Sequence, residues 1–163
     1  MFDAFSPEFR HNRLMAIHVE SLDPTDPSTA QRIVEIQLAA YAVEAELIGF
    51  WGIPQLGETA DDVTRRVDLT WRGAIDDDTL AGIIAWSHDD EIDIDRLAVD
   101  PAFARRGHGR RLIRSVPDGD TVVSTGKQNA PAMALYTREG FSVTGEVEIA
   151  DGVFLTQLHR PQR

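Results

Sequence analysis

At 163 residues, 42% apolar and 26% charged, the chain has the size and composition of one globular domain, large enough to bury a core without disulfide or metal staples. It has no cysteine, which excludes a thiol nucleophile, cysteine-ligated zinc and disulfides. A formal net charge of -11 argues against nucleic acid and anionic membrane as partners; it fits either plain solubility or a cationic partner such as an amine.

The N-terminal residues lack a signal-peptide core and no stretch approaches the length of a membrane span, so the expected location is the cytoplasm. Residues 1–12 are expected to form a loose arm before a single domain over residues 13–163. Residues 14–19 read as a first strand. Residues 23–31 carry helix-start signals: Asp and Ser caps, prolines suited to a first turn, and a capping box from Ser28 to Gln31. The helix that follows places Ile33, Val34, Leu38, Tyr41, Ala45 and Ile48 at helical spacing and ends near Gly49. A loop over residues 49–57 leads to a second, shorter helix over 58–67. Strands are expected over 71–75 and 80–88, joined at Asp76-Asp77-Asp78, and over 92–99. A short helix (109–115), a strand (121–124), a helix (130–139) and two closing strands (141–149, 153–159) complete the order. Hairpins beside a β-α-β-α stretch predict a mixed sheet with helices on its faces.

Two segments carry chemistry. In the first, an apolar strand ends at Asp100-Pro101 and a basic turn, Arg105-Arg106-Gly107-His108-Gly109-Arg110, opens into a helix. Such a turn can aim several backbone N–H groups at one point, with arginines as further donors, and so suits a pyrophosphate. The alternative is a helix-capping turn on a basic surface. Leu112 replaces the third glycine of a dinucleotide fingerprint, and neither glycine is followed by the Lys-Ser/Thr of a phosphate-binding loop. In the second segment, Asn129 is placed to cap the helix that carries Tyr136 two turns later and ends at Gly140-Phe141. The five histidines show no metal-ligand spacing.

The two segments, in their order and spacing, resemble the signature blocks of the GNAT N-acetyltransferase superfamily, over about residues 80–141. The resemblance implies a mixed, mostly antiparallel sheet of about seven strands with helices on both faces. It implies acetyl-CoA as co-substrate, with the backbone of Leu97, Ala98 and Val99 pairing with its pantetheine arm. The amides of Arg105, Arg106, Gly107, His108, Gly109 and Arg110 would hold its pyrophosphate, and Asn129 would contact the pantetheine end. Tyr136 would sit beside the thioester sulfur. The family usually has Gln or Arg three residues before the first glycine of the turn, where this chain has Ala104; that contact is either lost or supplied by Arg105. A homodimer through the C-terminal strands is implied as well.

The expected reaction is acetyl transfer to a primary amine by direct attack in a ternary complex, with Tyr136 as general acid and Asp93 as the carboxylate base. Asp95, Glu44, Glu46, Glu58 and water are the other choices of base. The alternative function is a non-catalytic acyl-CoA-binding or sensing module. The acceptor is expected to be selected by residues 49–57, including Phe50, Trp51 and Ile53, and by the segment between the last two strands.

Overall fold

The computed structural model describes residues 17–163; the expected arm and residues 14–16 of the expected first strand lie outside them. The described chain runs β1 (Ile17–Ser21), α1 (Pro27–Ile48), α2 (Ala60–Thr64), β2 (Thr70–Asp76), β3 (Thr79–His88), β4 (Ile92–Val99), α3 (His108–Arg114), β5 (Thr121–Gly126), α4 (Ala130–Arg138), β6 (Ser142–Ala150) and β7 (Val153–Arg160). This is the order expected from the sequence, with short 3-10 turns added at Pro54–Gly57 and Pro101–Phe103.

Local chemistry explains where the ends differ. Helix α1 is capped by Asp26, whose carboxylate accepts from the Thr29 amide, so Pro27 takes the first helical position and the Ser28–Gln31 box is not used. Helix α2 is shorter than expected because its capping box forms between Thr59 and Asp62. Only Asp77 and Asp78 make the β2–β3 turn, both with positive φ, the pair of left-handed residues that a tight hairpin requires. Asp76 therefore belongs to β2 and its side chain is free for other work.

The sheet order is β1-β2-β3-β4-β5-β7-β6, antiparallel throughout except for the β4–β5 pair. Strand β3 is buried on both faces. Its Ile83 and Ala85 pack with α1, Val63, Trp71 and Ala98, while Ile84 and Trp86 pack with Leu112, Ile113, Val123, Tyr136 and Leu158. A bulge interrupts β4: Ala85 pairs with Arg96 and Trp86 with Ile94, which leaves Asp95 as the extra residue. Ile92 and Ile94 thus enter the core beneath α3 and α4, whereas Arg96 and Ala98 turn towards α1. No helix among the described residues is long and apolar enough to cross a membrane.

Arg96, its side chain 2% exposed, ties this region together. Its Nη1 donates to Gln37 Oε1 at 2.8 Å and to Glu58 Oε1 at 2.5 Å, and its Nε donates to Asp95 Oδ2 at 2.7 Å. The guanidinium lies 5.1 Å from the Trp71 ring centre. Removing one member of a buried ionic group strands the others away from water. Arg96→Ala should therefore cost about 3–5 kcal/mol, read as a lower urea midpoint at unchanged slope. Arg96→Lys should recover only part of the loss, because one ammonium cannot span three acceptors as the guanidinium fork does.

Candidate active site

Strands β4 and β5 pair over three positions only: Ile92 with Thr121, Asp93 with Val122, Ile94 with Val123. Beyond these they part. Strand β4 continues along β3 to Val99, and β5 continues along β7 to Gly126. The parting leaves one edge of residues 95–99 without a strand partner, and its backbone N–H and C=O groups need partners from elsewhere. A cleft of about 780 Å³ opens there, lined by Leu97, Val99, Gly109, Asn129 and Tyr136, among others. Ala98 points away from it and is buried on the α1 face.

The C-terminal end of α1 forms the opposite wall. Ile48 presses so close to Gly126 that a Cβ there would lie 2.5 Å from Ile48 Cγ2, so only glycine lets α1 approach the end of β5. Glu44 Oε1 accepts, at 3.4 Å each, from the Gly126 amide and the Thr125 hydroxyl. Tyr41, Glu44 and Ile48 all line the cleft. The spacing 37, 41, 44, 48 is one helix face, and its Gln-Tyr-Glu-Ile content is more polar than a core stripe. That was the available sign that Tyr41 belongs to a site as well as to the core.

The basic turn is held in an alternating conformation, with Arg105 at φ 64° and Gly107 at φ 80°, which suits successive amides to a shared anion. Its anchor is Asp76. The Asp76 carboxylate lies 2.8 Å from His108 Nε2 and 3.2 Å from Arg106 Nη1. Burial would raise its pKa, but these two partners outweigh that and hold the group below the usual carboxylate range. The His108 ring is fully buried, with its Nδ1 unpartnered. Arg106 also lies over Phe103, and Arg110 reaches Glu139 at 3.6 Å. The turn thus offers amides and the exposed Arg105 and Arg106 side chains, while the His108 ring is structural.

Asn129 caps α4, accepting from the Ala132 amide at 3.2 Å, and lines the cleft as well. Tyr136 is 4% exposed and stacks edge-on against Phe141. Its phenol departs from the ordinary value expected from the sequence: burial, then the Glu44 carboxylate, raise its pKa. Tyr41 is shifted the same way, by burial first and Glu44 second. Both hydroxyls stay protonated throughout the physiological range.

The carboxylates divide into two groups. Asp95 lines the cleft but is held by Arg96 and, at 3.6 Å, by Arg66; Glu58 is held by Arg96. Both are structural counter-ions. Glu46 is exposed and outside the cleft. Asp93 and Glu44 line the cleft and have no cationic side-chain partner among the described residues. Loss of water around Asp93 raises its pKa, and the like charges of Asp95 and Glu91 add to the rise. Phe50 and Ile53 of the expected acceptor loop line the cleft, joined by Ile149 and Leu155 from the last two strands. Trp51 does not line it and is 61% exposed. Among the described residues no cluster of His, Asp and Glu has a metal-binding arrangement.

The sequence matches the Acetyltransferase (GNAT) domain family over residues 38–143, and the chain belongs to that family. It is 33% identical over 147 residues to the UPF0157 protein YqkA of Bacillus subtilis (strain 168), an alignment covering 86% of this chain and 43% of that protein. The chain thus spans less than half the length of that relative. The fold is shared with the PaiA N-acetyltransferase of Thermoplasma acidophilum, solved with coenzyme A (TM-score 0.68, 15% identity, 91% of this chain and 100% of that one). It is shared also with YncA of Salmonella typhimurium, described as a putative acetyltransferase with its cofactor acetyl-CoA (TM-score 0.65, 18% identity, 90% and 94%).

Proposed function

We propose that the protein is an acetyl-CoA-dependent N-acetyltransferase acting on a primary amine by direct attack in a ternary complex. The observation that carries this reading is the parting of β4 from β5, which sets an unpaired strand edge, Asn129, Tyr136 and Asp93 around one cleft. A free strand edge suits the amides of a pantetheine arm, which would add to β4 as a further strand. The positive-φ turn at one end of the cleft suits a pyrophosphate.

Acetyl-CoA supplies an activated acyl group. The chain's residues then have three tasks. The edge N–H groups of residues 97–99 polarise the thioester carbonyl as it gains charge. Asp93 takes the proton that the amine nitrogen loses as the C–N bond forms; its raised pKa makes it a better acceptor than an ordinary aspartate. Tyr136 donates a hydrogen bond to the sulfur as the C–S bond breaks. Because its phenol is shifted upwards, Tyr136 stabilises the thiolate chiefly as a donor, and the final proton comes with solvent access. The two carboxylates in the cleft without cationic partners, Glu44 and Asp93, make it hospitable to a positively charged acceptor. Strand β6 is an edge of the sheet and exposes Val143, Val147 and Ile149, which is compatible with a homodimer.

Calorimetric titration with acetyl-CoA should give micromolar binding that an Arg106→Glu, Gly109→Asp double substitution abolishes; no binding by the unaltered protein would sink the enzyme reading. In the same assay Tyr136→Phe should bind normally and turn over about a hundredfold more slowly, as read by thiol release against a panel of amines.

The pH dependence follows from the direction of the Asp93 shift. An amine acceptor alone makes kcat/KM fall in proportion to its neutral fraction below its own pKa. A required carboxylate base adds a second proton to that dependence once the pH drops through its raised pKa. The slope of log kcat/KM against pH should steepen from one to two in the acid range, and Asp93→Asn should keep a slope of one with a lower plateau. A profile in Asp93→Asn that still steepens would move the base role to Glu44 or to water.

A further inference from the structure

A second concavity lies at the far end of α3 and β5 from the cleft and shares no lining residue with it. It measures about 620 Å³ and is lined by Arg114 at the end of α3, Arg138 at the end of α4, Arg160 at the end of β7, and Arg163. On a chain of net charge -11, four arginines around one hollow are a local inversion of charge.

Two carboxylates, Asp118 and Glu139, also line the hollow and offset the four arginines only in part. Glu139 is buried, with one oxygen 3.6 Å from Arg110 and the other 3.0 Å from Arg114. Asp118 accepts from the Arg163 amide at 3.1 Å. Arg160 is the decisive residue. It is 7% exposed, its Nη1 donates only to the Glu139 carbonyl at 3.4 Å, and its guanidinium lies 4.9 Å from the Phe141 ring centre. No ion pair reaches it among the described residues. Burial lowers its pKa, the Arg163 charge adds to that, and the charges of Glu139 and Asp118 oppose the shift only in part. A buried guanidinium with no carboxylate in direct contact is costly, and one that opens on a hollow ringed by three more can recover that cost by taking an anion. Guanidinium forks match tetrahedral and planar oxyanions, and their number here favours more than one negative charge.

We propose that this pocket binds a small multivalent oxyanion, a phosphate or phosphate ester, at a site separate from the acetyl-CoA cleft. Helix α3 spans the distance between the two sites, about 10 Å of rise for its seven residues, so an anion at Arg114 sits at the opposite end of the helix that begins in the basic turn. The proposal does not depend on the catalytic reading of the cleft.

The test is calorimetry on the whole protein with saturating acetyl-CoA present, titrating inorganic phosphate, inorganic pyrophosphate and glycerol 2-phosphate, with sodium chloride at matched ionic strength as control. The expected result is saturable binding of one anion in the millimolar range or tighter. It should weaken about tenfold or more in Arg138→Ala, Arg163→Ala, both exposed positions, as expected for loss of charge-assisted hydrogen bonds. It should be unchanged when Arg106→Glu, Gly109→Asp, which alters only the basic turn, is titrated without acetyl-CoA and compared with the unaltered protein under the same condition. Preference for glycerol 2-phosphate over the two inorganic anions would assign the site to an ester, the reverse to the free ion. The proposal is overturned if none of the three anions gives saturable heat, if chloride gives the same response, or if binding survives in Arg138→Ala, Arg163→Ala and disappears in the turn variant.

Discussion

The structure depends on holding two adjacent parallel strands apart. Strands β4 and β5 satisfy each other over three pairs, and nothing in a β-ladder stops such pairing from continuing. An unpaired edge beside a core is unfavourable, so other contacts must restrain each strand. On β4, the bulge at Asp95 re-aims the backbone, and Arg96 fixes it to Gln37, Glu58 and Asp95. Past the strand, Arg32 ties Asp100 at 2.9 Å and the Leu80 carbonyl at 3.0 Å. On β5, six consecutive pairs to β7 hold the other side. Ile48 against Gly126 then closes the end of α1 onto β5. The open edge is thus stabilised by contacts that lie outside it, which keeps it available to a ligand.

The same logic orders the charges. Carboxylates near the cleft are either consumed in holding the scaffold, as Asp95 and Glu58 are, or left without cationic partners, as Asp93 and Glu44 are. Asp76 consumes its charge in fixing the basic turn through His108 and Arg106. Its lowered pKa means that this contribution to stability is present above the unfolded value and lost as pH falls through the folded one. The arginines show the complementary pattern: Arg96 is fully engaged, while Arg160 is buried and short of a partner.

Much of this was legible in the sequence, and the reasons for the misses are physical. Strand β4 was read to the residue because its apolar alternation is bounded by Asp-Asp and Asp-Pro. Helix α1 ended where Gly49 supplies a left-handed cap, φ 67°. Its start is offered by two kinds of cap, Asp and Ser, and Asp26 prevails because Pro27 fits the first helical position that follows it. The bulge was invisible, since an inserted residue leaves the two-residue alternation of Asp93 and Asp95 intact on paper. That is why Asp95 reads as sharing a strand face with Asp93, whereas in the structure it pairs with Arg96. The four arginines of the second pocket were unreadable as a group, because positions 114, 138, 160 and 163 meet only when α3, α4 and β7 come to the same end of the sheet.

Tyr136 and Glu44 show how far a site's electrostatics can depart from the side chains taken alone. A free phenol is a weak acid that a departing thiolate can lean on. Here burial and the Glu44 carboxylate push the phenol further from ionisation. A thiolate of ordinary basicity, near 8.5, cannot then draw the proton fully across, so on the proposed reading the hydroxyl stabilises by donation and keeps its proton. Glu44 is itself held in place by the Gly126 amide and the Thr125 hydroxyl, from both of which its Oε1 accepts. Beside the Tyr41 and Tyr136 phenols it makes a polar wall that, on the proposed reading, faces the acceptor. On the proposed reading Asp93, lifted by loss of water and by Asp95 and Glu91, is the better matched to taking the proton that the attacking amine nitrogen loses as the C–N bond forms. On that reading attraction and deprotonation fall to different carboxylates: Glu44 is tied to the end of β5 by two hydrogen bonds, whereas Asp93 has lost water and faces like charges.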